Sequence, residues 1–429
     1  MRQLWEFLYT TLFIPLLWLV LRFLGLVKSK VRRGIEGRRG LFGELAGRMQ
    51  RVPPGPRVWF HASSMGEFEQ AKPIIAELKR RDPGVRVIAS FFSPSGYDHS
   101  LKYALADVIT YLPFDTDPGA RKFLDLVRPT AAVLVRYDVW PNMIWELERR
   151  GIPILIANAT MRQSSPRFLP VIRNFHHHLY SSIREILTVS ESDVEAFRRF
   201  SLGRTHIEAI GDTRFDQVCT RSAEARKHHL LPEQVSRGKK VIVIGSSWPE
   251  DEEVIVPAFL EMRGPDTLMV IVPHEPTLEH LEELERRVNG DVRSLRFSAL
   301  NEYNGEPVII VDSIGILLML YAAGHVAYVG GSFRQGVHNV IEAAVYGIPV
   351  VFGPRHRNSQ EAVQLAERGG AFVVDGSQAM ASVLERLLTD DRARIEAGHL
   401  AAQFVVTNTG ATGRFLQHLD PYLHSPGTP

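Results

Sequence analysis

Cysteine is almost absent from this chain: Cys219 is the only one among 429 residues. An internal disulfide and a metal site built from several cysteines are therefore excluded. So little cysteine suits a reducing compartment such as the cytoplasm. The sequence also lacks a Walker-type phosphate loop and a His-Glu-x-x-His zinc motif. The chemistry must therefore be carried by other residue patterns.

An excess of charge of either sign is also missing. Fifty Lys and Arg residues stand against 48 Asp and Glu residues, which leaves a formal net charge of +2. Hydrophobic residues make up 45% of the chain and charged residues 23%, as in ordinary globular proteins. A chain of this length exceeds one ordinary core, so two domains are expected.

The long apolar run of the chain lies at its N-terminus, in residues 4–27. No charge occurs between Phe7 and Val20, which is short for a span of about 20 residues, and Pro15 interrupts it. The basic residues follow this run, between Lys28 and Arg39, whereas a cleaved signal peptide begins with them. We expect residues 1–30 to be a membrane anchor that either spans or lies in the interface, with basic residues on anionic headgroups. A helix buried against the protein body is the alternative.

Strand and helix patterns alternate along the rest of the chain, which predicts parallel α/β sheets. One series covers residues 31–218, and a second covers residues 240–429. Residues 219–239 between them are polar and weakly patterned, and we interpret them as a linker. Two doubly wound domains are expected, with ligands bound beyond the carboxyl ends of the strands and an active site in the cleft between the domains.

Polar residues follow the predicted strands of the first domain. Glu67 comes after a short strand that ends at His61. It is either a helix-start carboxylate favoured by the helix dipole or a general base for an alcohol. Asp138 follows a later strand and could form an ion pair with Arg136, or either could face an acidic sugar. Arg162, after the next strand, is well placed for an anion such as a lipid phosphate.

The second domain contains a glycine-rich stretch between residues 329 and 350. A predicted strand ends at Gly330, a loop of small residues follows, and a helix-like stretch then carries Asn339 and Glu342. Glycines and a helix N-terminus favour a phosphate, and a carboxylate accepts hydrogen bonds from ribose hydroxyls. The stretch therefore predicts a site for a nucleotide or a nucleotide-activated sugar. An ordinary strand-to-helix connection is the alternative.

Several motifs occur together and in order, and they extend over nearly the whole chain. They are His61-Ala-x-Ser-x-Gly-Glu67, Ser93-Pro-Ser-Gly96, Trp140-Pro-Asn142, Ile156-Ala-Asn158-Ala, Gly211-Asp-x-Arg-Phe-Asp216, and the block from Gly330-Gly-Ser to Gly353-Pro. With these motifs the chain resembles the bacterial 3-deoxy-D-manno-octulosonic acid (Kdo) transferases of glycosyltransferase family 30, which build the inner core of lipopolysaccharide.

The resemblance implies a GT-B fold, in which two Rossmann-like domains face each other across a cleft. It implies a CMP-Kdo donor, a lipid IVA acceptor, inversion at the anomeric carbon, and no required cofactor or metal. It also implies the cytoplasmic face of the cell inner membrane. Glu67 corresponds to the base that deprotonates the acceptor hydroxyl, and Asp138 to a second acidic residue near the base or the donor.

The resemblance also supplies candidate contacts for CMP-Kdo, and these fall on Pro273, His274, Ile314, Gly315, Ile316, Asn339, Val340, Ile341 and Glu342. The loops that follow the predicted strands add Ser246, Ser247, Gly331 and Ser332 to the expected CMP-Kdo contacts. The same loops and motifs offer Ser64, Gly66, Arg136, Arg162 and Arg214 as contacts expected for the acceptor or the sugar anion.

The sequence departs from the family at several of these positions. Many members have Arg in place of His274, Gly in place of Val337, Met-Gly-Glu in place of residues 314–316, and Glu-Thr-Glu in place of residues 136–138. These departures concern individual donor contacts and leave Glu67, Asn339 and Glu342 unaffected. Two other functions stay open at this point: a GT-B enzyme that uses a UDP-sugar, and a catalytically idle membrane-bound scaffold in which Glu67 only caps a helix.

Overall fold

The computed structural model describes residues 1–423, which form two compact units. The first unit contains Met1–Gln217 and residues 409–423, and the second contains Val218–Asn408. Each unit contains one parallel sheet of seven strands connected through helices. The predicted α/β architecture is therefore confirmed.

The sheet of the first unit has buried apolar residues on both faces. Val58 and Phe60 pack into one core, and Trp59 between them packs into the other, as the alternation of a strand requires. The strands are β1 (Arg57–Ala62), β2 (Arg86–Phe91), β3 (Val108–Tyr111), β4 (Ala131–Val135), β5 (Ile154–Ala159), β6 (Glu185–Thr188) and β7 (His206–Ala209). Their order is β3-β2-β1-β4-β5-β6-β7, so the direction of winding reverses between β1 and β4. Ligands of doubly wound sheets bind at such a reversal.

The first eleven α-helices of the described chain precede the short helix that leads into the second sheet. They are α1 (Arg2–Leu8), α2 (Ile14–Val27), α3 (Ser29–Glu36), α4 (Leu41–Met49), α5 (Met65–Arg81), α6 (Pro94–Ser100), α7 (Asp117–Val127), α8 (Pro141–Arg149), α9 (Pro170–Tyr180), α10 (Glu191–Arg198) and α11 (Thr213–Ala225). Helix α5 begins earlier than its sequence pattern suggests, so Glu67 lies in its first turn.

The N-terminal segment forms one continuous helix, Arg2–Val27, which is long and apolar enough to cross a membrane. A π-helical turn, Tyr9–Phe13, joins α1 to α2, just before Pro15, which has no N–H to donate to that turn. One face of the helix packs on the first unit. There the Trp5 indole donates to Asn174, the Tyr9 hydroxyl to Asp115, and the Thr10 hydroxyl to Asn142, at 2.8–2.9 Å.

The opposite face of this helix is exposed and apolar. Its members are Leu4, Phe7, Leu12, Phe13, Leu16, Trp18, Leu19, Val20, Phe23, Leu26 and Val27. The alternative, a helix buried against the body of the protein, therefore describes only the face that carries Trp5, Tyr9 and Thr10. Exposed apolar surface of this extent marks an interaction with a partner or a membrane.

The second unit repeats the doubly wound pattern. Its strands are β8 (Lys240–Ser247), β9 (Thr267–Pro273), β10 (Ser294–Arg296), β11 (Val308–Ile310), β12 (Val326–Val329), β13 (Val350–Phe352) and β14 (Ala371–Val373). Its helices are α12 (Glu233–Ser236), α13 (Pro249–Met262), α14 (Leu278–Asn289), α15 (Leu317–Tyr321), α16 (Ile341–Ala344), α17 (Gln360–Glu367), α18 (Ser377–Thr389) and α19 (Asp391–Thr407). The strand order β10-β11-β9-β8-β12-β13-β14 reverses between β8 and β12.

The chain returns to the first unit after α19, so the predicted boundary of 240–429 for the second domain is wrong at its C-terminal end. The last helix, α20 (Ala411–Leu423), buries Phe415, Leu416 and Leu419 in a core of the first unit. The Asp216 carboxylate accepts from the N–H groups of Gly410 and Thr412 at 2.6 and 2.7 Å. These contacts fix the start of the helix.

The predicted linker of residues 219–239 is also corrected. Helix α11 continues through its first part to Ala225, and α12 occupies part of the remainder. The second unit begins at Val218, inside α11. The polar composition of residues 219–239 reflects the exposed faces of these helices, whereas apolar residues such as Ala225 and Val235 are buried.

Candidate active-site residues

The reversal point of the first sheet brings together the two carboxylates predicted to be catalytic. Glu67 lies in the first turn of α5, which follows β1, and Asp138 lies in the loop after β4. Glu67 accepts a 2.5 Å hydrogen bond from the Ser63 N–H and a longer one, 3.3 Å, from the Ser64 N–H. The carboxylate therefore does cap the helix, and its other oxygen is not used by these two bonds.

Asp138 is held by His61, near the end of strand β1. The Nε2 atom of the buried His61 lies 2.8 Å from an Asp138 oxygen, and His61 Nδ1 lies 2.9 Å from the Ser90 hydroxyl. That hydroxyl accepts from the Trp59 indole at 2.8 Å. A chain of hydrogen bonds from the sheet interior thus orients the second carboxylate.

The two carboxylates have pKa values shifted in opposite directions. Burial, and then the charge of Asp138, raise the pKa of Glu67. Burial opposes ionisation of Asp138 as well, but the hydrogen bond and positive field of His61 outweigh it, and its pKa is lowered. Such divergence separates a proton-transfer group from a permanently charged neighbour. These opposite shifts fit the expected roles of Glu67 as a general base and of Asp138 as its electrostatic partner, which stay predictions.

A buried polar network lies beside these groups, and its centre was not found from the sequence. The Gln70 amide oxygen accepts from Arg136 Nε at 3.2 Å and from the Asn158 side chain at 3.0 Å. Asn158 also donates to Asp212 and Thr213. Arg136 and Asn158 follow or end neighbouring strands, and both have positive φ, +65° and +51°. Backbone strain of this kind concentrates at functional sites. Gln70, three residues after Glu67 on α5, was detectable by its helical spacing.

The other predicted acceptor residues have different surroundings. Ser64 is the residue that precedes α5, and a Cβ built on Gly66 would meet no atom within 4 Å, so space is open next to Glu67. Arg162 is exposed in the loop after β5. Arg214 is engaged by the buried Asp212, to which its backbone N–H and its Nε both donate at 2.8 Å. The Arg214 charge is therefore partly neutralised within the protein.

The reversal point of the second sheet is organised by a buried carboxylate that the sequence pattern did not reveal. Asp251, in the first turn of α13, is fully buried. It accepts from the N–H groups of Trp248 and Gly331 at 2.9 and 2.8 Å, and from the Tyr328 hydroxyl at 2.7 Å. It therefore joins the loop after β8 to the loop after β12. Glu252 beside it, also buried, accepts from the Ser247 hydroxyl at 2.8 Å.

Three residues predicted to contact the CMP-Kdo donor have hydrogen-bond partners within the protein. The Gly331 N–H is used by Asp251, the Ser332 hydroxyl accepts from the Gly353 N–H at 2.6 Å, and the Ser247 hydroxyl faces Glu252. The glycines serve the protein's own backbone: a Cβ on Gly330 would lie 2.2 Å from the Ser246 carbonyl oxygen. The protein's own groups therefore fill the close approach at Gly330, whereas donor contact at Gly331 and Ser332 stays a prediction.

An aromatic stack stands at the carboxyl ends of β8, β9 and β12. The rings of His274 and His338 are nearly parallel, with centroids 4.5 Å apart, and His274 also lies 4.7 Å from the Trp248 ring. The Trp248 indole donates to His338 Nε2 at 3.0 Å. His338 Nε2 is therefore an acceptor, and burial, and then His274, lower the pKa of His338, which favours the neutral ring. The exposed His274 is left to meet a ligand, which fits its predicted role as a contact.

The remaining predicted donor residues border the same edge. Ile314 is 80% exposed. The next residue, Gly315, has a φ of +85°, and a Cβ at this position would meet no atom within 4 Å. Pro273 ends β9 and is buried, as are the side chains of Val340 and Ile341. The remaining predicted contacts are Ser246, partly buried with a positive φ of +53°; Ile316, partly buried before α15; Asn339, exposed; and Glu342, partly buried.

The helix-like stretch predicted to carry Asn339 and Glu342 forms a helix of a single turn, α16, which begins at Ile341. A helix of four residues has a weak dipole, so the expected phosphate site at its N-terminus loses that support. Burial, and then the charge of Glu342 on this turn, raise the pKa of Tyr321. Arg221 Nη1 lies 4.0 Å from a Glu342 oxygen. The prediction that Glu342 accepts hydrogen bonds from ribose hydroxyl groups stays a prediction.

Val337, which replaces an expected glycine, has a structural explanation. Its side chain is 5% exposed, and its N–H and C=O bond to the side-chain amide of Asn358 at 3.2 and 3.1 Å. These bonds close the loop after β12 onto the loop after β13. A valine is therefore accommodated here by burial.

Comparison with known proteins finds Kdo transferases. A family profile described as 3-deoxy-D-manno-octulosonic-acid transferase (kdotransferase) matches residues 35–217. The enzyme of that name from Haemophilus influenzae is 27% identical over 98% of this chain and 99% of its own. The one from Bordetella pertussis is 26% identical over 88% of this chain and 90% of its own. The chain is thus similar to Kdo transferases over nearly its whole length. The profile match includes both Glu67 and Asp138.

Solved structures agree on the fold of this chain. A UDP-GlcNAc 2-epimerase from Neisseria meningitidis superimposes with a TM-score of 0.59 at 15% identity, over 85% of this chain and 99% of its own. MurG from Acinetobacter baumannii gives a TM-score of 0.54 at 15% identity, over the same shares. The two Rossmann-like units are those of the GT-B fold.

Proposed function

We propose that the protein transfers Kdo from CMP-Kdo to the 6′-hydroxyl of lipid IVA, with inversion at the anomeric carbon. Similarity to Kdo transferases over nearly the whole chain supports Kdo transfer in lipopolysaccharide synthesis. The observation that carries the finer proposal is the pair Glu67 and Asp138 at the reversal point of the first sheet, with pKa values shifted in opposite directions. An alcohol acceptor needs a base, and this pair provides one.

The proposed reaction is a single displacement. The Glu67 carboxylate takes the proton of the acceptor hydroxyl as that oxygen forms a bond to the anomeric carbon of Kdo. The bond from this carbon to the CMP phosphate oxygen breaks, and CMP leaves with the electron pair. The sugar carbon gains oxocarbenium character in between. The negative charge of Asp138 favours this cationic centre and keeps His61 oriented.

The second unit supplies the proposed donor site. His274, exposed on the stack with Trp248 and His338, is a contact for the phosphate or the base of CMP-Kdo. The open backbone at Gly315 allows a flat base to approach. Glu342 accepts hydrogen bonds from the ribose hydroxyls.

Thermal unfolding with nucleotides tests the donor. CMP at a concentration about 100 times its dissociation constant contributes about 2.7 kcal/mol, so we expect an upward shift of several degrees in the unfolding temperature. UDP should give no comparable shift. His274→Ala should reduce the shift by CMP, whereas His399→Ala, an exposed histidine of α19, should keep it. A UDP-sugar enzyme would show the reverse preference, and an idle scaffold would respond to neither nucleotide.

The N-terminal helix supports a location on the membrane surface. Hydrogen bonds from Trp5, Tyr9 and Thr10 hold one face against the first unit, and the apolar face points away from it. A helix fixed along its side to a globular body lies in the interface instead of crossing the bilayer. The basic residues of α3 then meet anionic headgroups. We place the body of the protein on the cytoplasmic face of the inner membrane.

Vesicle flotation tests this location. The double variant Leu16→Asp with Phe23→Asp puts two charges into the apolar face, and we expect at least a tenfold weaker partition onto vesicles that contain anionic lipid. Val406→Asp, at an equally exposed apolar residue of α19, is the matched control and should float like wild type. Unchanged flotation of the double variant would contradict the interfacial location.

A further inference from the structure

An apolar groove lies in the first unit, beside the N-terminal helix. It has a volume of about 490 Å³, within the range of about 300–1,000 Å³ that ligand pockets occupy. The helix contributes Ile14, Leu17 and Leu21 to one wall. Phe114 at the end of the β3 loop and Trp140 in the β4 loop contribute the other.

A smaller cavity of about 180 Å³ continues the groove toward α3. Leu21 and Phe114 line both spaces. Phe92 lines the second space and stacks on Trp140 of the first, with ring centroids 4.6 Å apart. Arg38 donates to the carbonyl oxygens of Phe92 and Leu112 at 2.8 Å. These bonds fix the wall, so the groove is built into the fold.

The inner end of the groove adjoins the catalytic carboxylates. Trp140 is two residues after Asp138 on the same loop. Ser93, in the wall of the smaller cavity, donates its N–H to the Ser63 carbonyl at 2.9 Å. The Ser63 N–H in turn donates to Glu67. A molecule in the groove is therefore separated from the base and its partner by a single layer of loop.

We propose that the groove binds one fatty acyl chain of the lipid acceptor. This inference rests on the proposed function and extends it to the way in which the acceptor is held. The walls are apolar, as an acyl chain requires. The outer side of the groove is the helix whose other face we place in the membrane surface, so a chain enters without crossing water. Lys30, which is exposed, lines the smaller cavity, where its charge favours an anionic headgroup.

The position of the groove decides between the acceptor and bulk phospholipid as the source of this chain. A chain attached to the acceptor sugar brings the reacting hydroxyl to the carboxylates at the inner end, which lowers the entropy cost of reaching them. A phospholipid chain in the same place would compete with the acceptor. Its binding is therefore an outcome that the experiment must detect.

The experiment measures variants of the N-terminal helix with each of two acceptors. Leu21→Trp fills the groove from its wall, and Leu19→Trp fills it from an exposed position, where folding is not disturbed. Leu16→Trp, on the same helix but outside the groove, is the matched control. Kinetics are measured with lipid IVA and with its fully deacylated sugar backbone, together with vesicle flotation of each variant.

We expect both groove variants to raise the KM for lipid IVA at least tenfold and to leave kcat/KM for the deacylated backbone unchanged, whereas Leu16→Trp changes neither. Wild-type preference for lipid IVA over the backbone is part of the expected result. Equal KM values for lipid IVA in all variants, or equal use of both acceptors by wild type, would overturn the proposal. So would weaker flotation of the groove variants alone, which points to bulk lipid. Transfer to neither acceptor by wild type would instead refute the proposed function.

Discussion

Replacing Glu67 with Gln is expected to lower kcat by about 10²–10⁴-fold, the usual contribution of a general base. The amide keeps the shape of the side chain and can still accept from the Ser63 N–H, so helix α5 retains its cap. It cannot take a proton from the acceptor hydroxyl. The loss should therefore appear in kcat for Kdo transfer, with CMP binding and the unfolding temperature close to wild type.

Glu69→Gln is the matched control for this substitution. Glu69 lies two residues further along the same helix and pairs with Lys72 and Gln217. Its replacement should leave kcat within a factor of about two, because exposed or partly exposed pairs contribute little. If Glu67→Gln retains wild-type activity, Glu67 has only the capping role.

The pH dependence gives a second view of the same base. Burial and the charge of Asp138 raise the pKa of Glu67, and the base must be ionised to act. Activity should therefore rise with pH along an acid limb set by Glu67. Asp138→Asn removes the negative charge, which lowers the pKa of Glu67, so the limb should move to lower pH. A limb at an unchanged pH would show that Asp138 does not act on Glu67.

Asp251→Ala is the substitution with the largest expected effect on stability. It leaves the N–H groups of Trp248 and Gly331 and the Tyr328 hydroxyl without their buried acceptor. Each unsatisfied donor costs about 1–3 kcal/mol, so the second unit should lose about 3 kcal/mol or more. A loss of that size lowers the unfolding temperature by roughly 6–12 °C in a unit of this length.

Glu250→Ala separates this effect from a general loss of charge at the start of α13. Glu250 is the preceding residue, its side chain is 44% exposed, and it pairs with Arg334 at 3.5 Å. Its loss should cost less than about 1 kcal/mol. Urea unfolding of both variants measures the difference. Equal stability of the two would show that Asp251 does not hold the loops together.

The strand ends that carry chemistry were predictable because parallel strands have a clear sequence pattern. Buried apolar runs followed by polar residues gave β1, β4, β8 and β12, and thus Glu67 and Asp138 at one reversal point. The strands that the pattern missed are short and lie at or next to the sheet edges. These are β7, β10 and β14, with three or four residues each.

Tertiary partners were what the sequence could not supply. The close approach at Gly330 and Gly331 has the same sequence signature whether a phosphate or another backbone segment fills it, and here it is the backbone of Ser246 and the carboxylate of Asp251. An acidic residue at a helix start is common, so Asp251 gave no signal of its burial. The return of α20 to the first unit depends on contacts with residues about 200 positions away, such as Asp216, which no local pattern encodes.

The most direct measurement of the central claim is the mass of the lipid product. Purified enzyme is incubated with CMP-Kdo and lipid IVA, and the lipid is analysed by mass spectrometry beside an identical reaction with Glu67→Gln protein. The account predicts lipid IVA carrying added Kdo, with one CMP released for each Kdo, and a strongly reduced amount of product with the variant. Unmodified lipid with the wild-type enzyme, or equal product with both proteins, would contradict it.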